Sequence, residues 1–355
     1  MMDVLEPMGW DAARAQAFAV WDGPTGEPAR VTAQQRDRWS LRARSGAVEG
    51  RLLRWETGAP TPVTGDWVVC RPPSHPSDPL GIVAILPRRT AVLRGSAGTT
   101  AGAQVLAANV DHLWIVRGLD TAPNLRSLER YLAVAWESGA SPEIVLTKSD
   151  LAEDREASLA GVRAIAFGVP VHAISITDAD SVAALRDRLV PGETVALLGP
   201  SGAGKSTLIN ALASARLTRT GEVRASDRKG RHTTTARELF AIPGGALLLD
   251  TPGLRELRVI EAGDGVERAF PDIDALSGGC RFRDCSHTTE PGCEVLAAVE
   301  AGTLSAERLE SYRKLQADVA YARRKDDPRA QAAYVAEHKT ALRTLKHHPK
   351  YRRDG

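Results

Sequence analysis

Gly199-Pro200-Ser201-Gly202-Ala203-Gly204-Lys205-Ser206, followed by Thr207, is the stretch of sequence that decides the fold. It fits the pattern G-x-x-x-x-G-K-[ST] of a phosphate-binding loop. The apolar, strand-like segment Thr194–Leu198 precedes it and the apolar, helix-like segment Leu208–Leu212 follows it, as this pattern requires. Glycines let the backbone N–H groups face the phosphates, and the helix N-terminus attracts the anion. We therefore predict that Gly199–Thr207 binds the phosphates of a nucleotide.

Four residues in and after this loop have specific expected roles. Lys205 is expected to reach the β- and γ-phosphates and to act in catalysis, and Ser206 is expected to ligate Mg²⁺. Downstream, Asp250-Thr251-Pro252-Gly253 ends the apolar segment Ala246–Leu249. A D-x-x-G motif there places Asp250 near Mg²⁺ and the Gly253 N–H near the γ-phosphate.

A second motif indicates which base is bound. Thr147-Lys148-Ser149-Asp150 ends the apolar segment Glu143–Leu146 and is similar to N-K-x-D. Its aspartate can accept hydrogen bonds from both N1–H and N2–H of guanine, which adenine cannot offer. The Lys148 stem is expected to lie along the base. Thr147 replaces the usual asparagine, so it keeps a hydroxyl and loses an amide. Ser175, after the next strand, is expected to contact the same nucleotide, GTP or GDP.

The order of these motifs is unusual. An ordinary GTPase has its phosphate loop first, whereas here the guanine motif precedes it, so the chain resembles a circularly permuted GTPase. Such rewiring of surface connections leaves the sheet unchanged in space. The segment that begins at Asp250 leads directly into the C-terminal region, so we expect the nucleotide state to act on that region.

A cluster of possible metal ligands follows. Cys280, Cys285, His287 and Cys293 have the spacing C-x4-C-x-H-x5-C. Three thiolates and one imidazole form a closed tetrahedral set that suits one structural Zn²⁺ and leaves no position for catalysis. The alternative is a set of buried, unligated thiols. A disulfide framework is not expected from only four cysteines in the chain.

Hydrophobic patterning divides the 355 residues into three parts. In the first, Trp39, Leu41 and Ala43 alternate with polar residues, as in a half-buried strand. Further strands are predicted at Val48–Arg54, Asp66–Cys70 and Gly81–Leu86. From about His112 strands and helices alternate, which indicates a mainly parallel sheet covered by helices.

The predicted fold class is therefore α/β: a circularly permuted P-loop GTPase core, an N-terminal all-β OB-type barrel and a C-terminal zinc-binding helical domain. The expected boundaries are 1–105, 106–265 and 266–355. Helices are predicted at Asn124–Ser138, Val182–Leu189, Lys205–Ser214, Leu296–Ala301, Ala306–Lys325 and Pro328–Leu345. The remaining strands are predicted at His112–Val116, His172–Ile176 and Glu238–Ile242, besides those that precede the motifs.

Composition and charge limit the other possibilities. Hydrophobic residues make up 43% and charged residues 25% of the chain, as is ordinary for a soluble globular protein. No stretch approaches the roughly 18 apolar residues of a membrane span. Met1–Trp10 lacks the pattern of a signal peptide. We expect a cytoplasmic monomer without a membrane partner.

Two basic segments are candidate RNA contacts. Arg36–Arg54 contains six arginines against two acids, and Lys339–Arg353 has eight basic or histidine residues and no acid. OB barrels commonly bind nucleic acid with one face. A solvated charged surface remains the alternative.

Essentially the whole chain is similar to the RsgA family, bacterial GTPases of small ribosomal subunit biogenesis. The phosphate loop, the D-x-x-G motif and the guanine motif carry the resemblance. Three further segments add to it: Arg88-Arg89-Thr90, His232-Thr233-Thr234-Thr235 and Cys280–Cys293. The resemblance implies a late assembly factor that binds the small subunit and its rRNA. It also implies GTP hydrolysis that the subunit stimulates.

Hydrolysis by the isolated protein is expected to be slow. Leu254 stands where the commonest GTPases have a glutamine that orients the attacking water. His232 is the candidate replacement, because an imidazole can position or deprotonate water; an ordinary loop residue is the alternative. Thr233 or Thr234 is expected to reach Mg²⁺.

Three other functions stay open at this point. The first is a permuted GTPase that serves the large subunit, and the OB barrel and zinc cluster argue against it. The second is an ATPase or kinase, for which ATP would displace GTP. The third is an RNA-binding module that uses nucleotide as a structural ligand and releases no phosphate.

Overall fold

A computed structural model describes residues 4–23, 25–35, 37–53, 60–73, 75, 78–94, 104–214, 237–250 and 263–326. Several predictions concern residues outside these ranges. They are the switch residues His232, Thr233, Thr234, Gly253 and Leu254, the predicted helix Pro328–Leu345 and the basic segment Lys339–Arg353.

The N-terminal part is a closed five-stranded barrel. After helix α1 (Ala12–Ala19), its strands pair in the order β1-β2-β3-β5-β4, and β4 returns to pair with β1. Strands β3 and β5 are parallel, and the other neighbours are antiparallel. This closure confirms the predicted OB-type barrel. The strands are β1 (Glu27–Gln35), β2 (Arg38–Ala43), β3 (Gly46–Leu52), β4 (Trp67–Arg71) and β5 (Leu80–Ile85).

Strand β1 was not predicted from the sequence, because a buried arginine interrupts its apolar pattern. Arg30 is fully buried. Its guanidinium donates hydrogen bonds to the Met8 carbonyl, to the Asn109 carbonyl at 3.1 Å and to Thr194 Oγ1 at 2.7 Å. Such partners compensate for the cost of burying a charge. One side chain thereby connects the N-terminal segment, the barrel and the sheet that follows.

The central part is a six-stranded sheet. A hairpin of β6 (Ala91–Arg94) and β7 (Gln104–Ala108) leads from the barrel to it. The strand order β10-β9-β8-β11-β13-β12 does not follow the chain, and only β12 is antiparallel to its neighbour. The strands are β8 (His112–Gly118), β9 (Ser141–Thr147), β10 (Val171–Ala173), β11 (Thr194–Leu198), β12 (Arg237–Ala241) and β13 (Leu247–Asp250).

Helices cover both faces of this sheet, as a mainly parallel sheet requires. One buried apolar cluster contains Leu128, Leu159 and Ile144, and another contains Val182, Leu208 and Val195. The helices are α2 (Leu125–Glu137), α3 (Arg155–Ile165), α4 (Ala179–Arg186), α5 (Lys205–Leu212), α6 (Gly263–Ala269), α7 (Pro271–Ser277), α8 (Glu294–Glu300) and α9 (Ala306–Asp326). None of the helices in the described ranges has the length and apolarity needed to cross a membrane.

A strand pair and a shared apolar cluster are among the contacts that join the three parts. Strand β1 of the barrel pairs with β12 of the central sheet, with Ala33 opposite Glu238 and Gln34 opposite Arg237. The C-terminal helices share the apolar cluster beneath α2, to which Phe270 and Leu309 contribute fully or nearly fully buried side chains. Helices α6 and α9 therefore pack on the same face of the central sheet as α2.

Candidate nucleotide site and metal centre

The phosphate loop connects the end of β11 to the start of α5. Its first glycine, Gly199, has φ +148°, and a Cβ there would lie 2.2 Å from the Val116 carbonyl oxygen of the adjacent strand. Gly204 caps α5 with φ +85°, and a Cβ there would lie 3.1 Å from Thr147 Oγ1. A side chain at Gly199 would collide with backbone, so this loop needs glycine to pass close to β8.

Lys205 begins α5 and is almost fully buried. Its ammonium donates hydrogen bonds to the carbonyls of Gly199 and Pro200, at 2.6 Å each. Ser206 follows on the first turn and is partly buried, whereas Ser201 is exposed. The loop thus holds a cationic group among its own backbone atoms, next to the helix N-terminus that was predicted to bind phosphate.

The guanine motif lies against this loop. Thr147 ends β9 and is fully buried. Its hydroxyl donates a hydrogen bond to the Ala203 carbonyl of the phosphate loop at 2.7 Å, and the Arg117 carbonyl lies 3.3 Å away. The structure therefore brings the two motifs together although they are distant in the chain. The threonine hydroxyl thus connects the guanine motif to the phosphate loop.

Lys148 is held by a partner that sequence reasoning did not find. Its backbone has φ +56°, and its ammonium lies 2.6 Å from the Asp120 carboxylate in the loop after β8. A Cβ on Gly118 would lie 2.4 Å from Asp120 Oδ1 and 3.3 Å from Lys148 Cδ. A loop aspartate without a motif gives no sequence signal, and only the adjacency of β8 and β9 brings it to Lys148.

Asp150 and Ser175 meet beside the same turn. The Ser175 hydroxyl donates to Asp150 Oδ1 at 2.5 Å, and the Ser149 N–H donates to the Ile174 carbonyl at 3.1 Å. The Asp150 residue is exposed, so its carboxylate can reach a ligand. These contacts place Ser175 beside the guanine motif, and its contact with the nucleotide stays a prediction.

Asp250 is the last residue of β13, which runs parallel to β11 and next to it. The carboxyl end of β13, with Asp250, therefore lies at the same edge of the sheet as the phosphate loop. Ligands of open α/β sheets bind at this edge. The rest of its motif, including Gly253, is not among the described residues.

The four predicted metal ligands form one cluster. Each residue contributes one donor atom, and all four atoms lie within 4.8 Å of one another; the residues are Cys280, Cys285, His287 and Cys293. His287 Nδ1 is 3.4 Å from Cys293 Sγ, and its Nε2 is 3.1 Å from Ser277 Oγ. A ligand histidine usually has its second nitrogen fixed in this way. The arrangement fits a closed Cys₃His metal site.

The pKa values of two thiols in the cluster shift in opposite directions. Although burial opposes it, N–H groups at the start of α8 lower the pKa of Cys280. Burial and the neighbouring thiols of Cys293 and Cys280 raise the pKa of Cys285 to about 11, against one backbone hydrogen bond that lowers it. Three thiolates repel one another, and a bound divalent cation would relieve this repulsion.

The basic face of the barrel has the predicted orientation. Trp39 and Leu41 are buried and Arg42 and Arg44 point outward. Arg38 forms an ion pair with Glu49 at 3.1 Å. The strand therefore presents arginines to solvent on one side, which is where RNA contacts were expected.

The Arg88-Arg89-Thr90 motif has a structural position rather than one at the nucleotide. Arg88 binds both carboxylate oxygens of the buried Asp66 at 2.7 Å each, and Arg89 binds those of Asp11 at 2.6 and 2.7 Å. Paired bidentate contacts of this kind fix geometry. The motif thus connects the N-terminal segment, the barrel and the entry to the central sheet.

Comparison with known proteins gives one family. The family described as RsgA GTPase matches residues 85–260. The relative from Opitutus terrae, called small ribosomal subunit biogenesis GTPase RsgA, is 47% identical over 337 residues, covering 91% of this chain and 92% of the relative. Proteins of the same name from Streptomyces coelicolor and Syntrophotalea carbinolica are 42% and 41% identical, covering 94% and 99% of this chain and 92% and 99% of theirs.

Solved structures give the same fold. YjeQ from Thermotoga maritima has a TM-score of 0.61 at 23% identity, covering 82% of this chain and 97% of that protein. YloQ, described as a circularly permuted GTPase, has a TM-score of 0.61 at 24% identity, covering 83% and 95%. At these identities the likeness concerns the fold, and it confirms the permuted architecture.

Proposed function

The chain belongs to the RsgA family of small ribosomal subunit biogenesis GTPases, and from this premise we propose that it hydrolyses GTP in late maturation of the small subunit. The observation that carries this proposal is the hydrogen bond from Thr147 to the Ala203 carbonyl, at 2.7 Å. It places a guanine-type motif against a phosphate loop, which is what one bound guanine nucleotide requires.

Each residue has a role in this proposal. Asp150 accepts hydrogen bonds from guanine, while Ser175 and Lys148 order the turn around it. Gly199–Thr207 surrounds the phosphates, and Lys205 binds their oxygens. Mg²⁺, when bound, neutralises charge on the phosphates, and Ser206 and Asp250 would hold it. His232 orients the water, and Thr233 or Thr234 adds a contact to the metal.

The metal of the Cys₃His cluster is proposed to be Zn²⁺. Three thiolates and an imidazole are soft and borderline ligands, and Zn²⁺ takes them in a closed tetrahedral set. The four donors leave no position for a substrate, so this metal supports the fold of the loop. A chelator is expected to release it without directly affecting the nucleotide site.

Each of the three parts has its own role in the proposed function. Residues 1–105 and their basic barrel face bind rRNA, residues 106–265 bind and hydrolyse GTP, and residues 266–355 add the metal centre. We propose a cytoplasmic monomer with no membrane partner, because small-subunit assembly takes place in the cytoplasm.

GTP turnover with and without purified small ribosomal subunits tests this function. Slow release of phosphate by the protein alone and clear stimulation by the subunit are expected, since Leu254 cannot orient water. His232→Ala should reduce the stimulated rate, and Lys205→Ala should abolish it. Lack of phosphate release in the presence of subunits would contradict the proposal and favour a structural nucleotide. Efficient displacement of GTP by ATP would favour the ATPase alternative.

A further inference from the structure

The metal loop carries an exposed aromatic between two exposed arginines, in the segment that separates two of its ligands. Arg281, Phe282 and Arg283, here called the loop tip, lie between Cys280 and Cys285, and all three are exposed. Phe282 has 42% of its surface accessible to solvent. The proposed function gives this tip no role, and an exposed aromatic between two cations is a distinctive surface feature.

The base of the tip is fixed. The Arg281 N–H donates to the Gly292 carbonyl at 3.0 Å, and the Cys280 N–H donates to the Ser277 carbonyl at 3.1 Å. Gly292 has φ +76°, and a Cβ there would lie 3.1 Å from the Arg281 Cβ. The two segments of the loop therefore lie close together at its base, which fixes the backbone from which the tip projects.

The charges of the tip remain available. The Arg281 guanidinium carbon is 5.5 Å from the centre of the Phe282 ring. Neither Arg281 nor Arg283 forms an ion pair with a carboxylate in the part of the chain that the structure describes. Asp284 follows and is also exposed, so the segment keeps a net positive charge.

The other exposed large apolar side chains differ from Phe282. Among those that the structure describes, none other has an arginine on each side in the sequence. Phe167 is exposed to a similar extent, at 44%, but lies 5.0 Å from the Arg308 guanidinium in a buried ion-pair cluster. Single exposed apolar residues are normal, so it is the combination of ring and cations that indicates a ligand.

We propose that the loop tip binds unpaired rRNA: a base stacks on Phe282 while Arg281 and Arg283 contact the flanking phosphates. This rests on the proposed function, which supplies the small subunit as the partner. Sequence-tolerant RNA recognition combines aromatic stacking of unpaired bases with cationic contacts to the backbone. A protein partner would favour a larger apolar area than one ring, whereas two arginines around that ring match a polyanion.

Variants at Phe282 test the stacking. Phe282→Leu keeps apolar bulk but removes the aromatic face, and it should weaken binding to purified small subunits about tenfold. Phe282→Trp should restore binding and should show fluorescence quenching on contact with a base. Phe167→Ala is the matched control and should bind like wild type. Zinc content and thermal unfolding are measured for every variant.

Variants at the arginines test the phosphate contacts. Arg281→Ala and Arg283→Ala should each reduce the slope of log Kd against log salt concentration by about 0.7, the value for single strands. Each titration is made with small subunits and with protein-free small-subunit rRNA. Equal losses on both probes are expected, because the proposed ligand is RNA.

The outcomes distinguish failure of the loop-tip proposal from failure of the proposed function on which it rests. Failure of the wild type to bind subunits would remove the proposed function itself. Wild-type binding that Phe282→Leu leaves unchanged would overturn the loop-tip proposal alone. A loss seen on intact subunits but absent on protein-free rRNA would assign the tip to a ribosomal protein and so overturn the RNA assignment.

Discussion

At the residue scale, Thr147 explains how the guanine motif tolerates the loss of its usual asparagine. Its hydroxyl reaches the Ala203 carbonyl of the phosphate loop, and both groups lie in the interior. A buried carbonyl that loses its partner costs the full desolvation penalty of that group. One hydroxyl therefore connects the guanine motif to the phosphate loop.

Thr147→Val is expected to weaken GDP binding. Valine has nearly the same shape but cannot donate, so the Ala203 carbonyl loses its partner at a cost of about 1–3 kcal/mol. The bond is already present without nucleotide, so only the part of this cost that is larger in the bound state changes Kd, and roughly 150-fold is its upper bound. Titration calorimetry measures this change. Thr147→Ser is the control and should stay close to wild type. Equal affinities for the valine and serine variants would show that the hydroxyl has no such role.

Asp150→Asn is expected to change base preference. The carboxylate offers two acceptors to guanine, whereas the amide offers a donor that suits the 2-oxygen of xanthine. GTP affinity should fall at least about 100-fold, since charge-assisted hydrogen bonds contribute about 1.5–3 kcal/mol each. Competition between GTP and xanthosine triphosphate measures it. Asp154→Asn, which keeps the cap of α3, should leave preference unchanged; unaltered GTP affinity in Asp150→Asn would exclude the assigned role.

At the element scale, two glutamates and two histidines gather at the amino ends of the strands, away from the nucleotide edge. Glu143 of β9 contacts His112 of β8 at 3.0 Å and His172 of β10 at 2.8 Å, and His112 contacts Glu193 at 3.2 Å. Burial opposes ionisation of Glu143, yet its interactions with the two histidines lower its pKa to about 2. The Glu143 carboxylate, with one oxygen 3.0 Å from His112 Nδ1, raises the pKa of His112 despite partial burial. The cluster therefore links neighbouring strands in a pH-dependent way.

Glu143→Gln should destabilise the protein most in a limited pH window. The lowered pKa of Glu143 gives stability that is present above the ordinary value and is lost as pH falls toward 2. The raised pKa of His112 gives stability that is present below the ordinary histidine value and is lost as pH rises through the raised one. The effect should therefore be largest near pH ~5.5, about 1–3 kcal/mol.

Urea unfolding of wild type and variant at several pH values measures this effect. Glu49→Gln, in an exposed ion pair with Arg38, is the control and should change little at any pH. A Glu143→Gln effect that is the same from about pH 5 to pH 8 would contradict the linkage.

Elements were predictable from sequence where a local pattern fixes them. Strand β11 has the predicted bounds, and α5 begins at the predicted Lys205, because the phosphate loop constrains both. Helix α4 begins at Ala179 rather than Val182, since the Asp178 side chain caps it. Helix α3 was missed, although it has the cap Asp154.

Residues whose role depends on distant partners were not predictable. Asp120 acts by pairing with the Lys148 ammonium, which belongs to the end of the next strand. Arg30 can be buried because groups from three segments accept its hydrogen bonds. In contrast, Ser175 was expected from its position at the end of a strand. Local sequence thus indicated the motifs and ligands, while the contacts that orient them come from the topology.

At the scale of the whole molecule, the C-terminal helices are fastened to the central sheet by a buried ion-pair cluster. Arg308 of α9 contacts Glu129 of α2 at 2.6 Å and binds Asp272 of α7 at 2.6 and 2.7 Å. Ser311 also donates to Glu129. The sequence suggested that the nucleotide state would act on this region through the segment after Asp250, and the Arg308 cluster is a second connection, which runs from α9 to α2 and α7.

Arg308→Ala should loosen this attachment strongly. Removing one partner leaves buried carboxylates without compensation, at a cost of about 3–5 kcal/mol. Arg126→Ala is a matched control, because Arg126 also joins α2 to α9, through an exposed pair with Glu310. Its effect should stay within about 1 kcal/mol. Urea unfolding and hydrogen exchange of α9 measure both; equal effects would contradict a special role for Arg308.

The central claim is that two motifs in reversed order enclose one guanine nucleotide. A crystal structure with a non-hydrolysable GTP analogue tests it most directly. The account predicts the Asp150 carboxylate within hydrogen-bond distance of guanine N1 and N2, and Lys205 on the phosphates. A purine bound away from Thr147–Asp150, with the phosphates still in the loop, would contradict it.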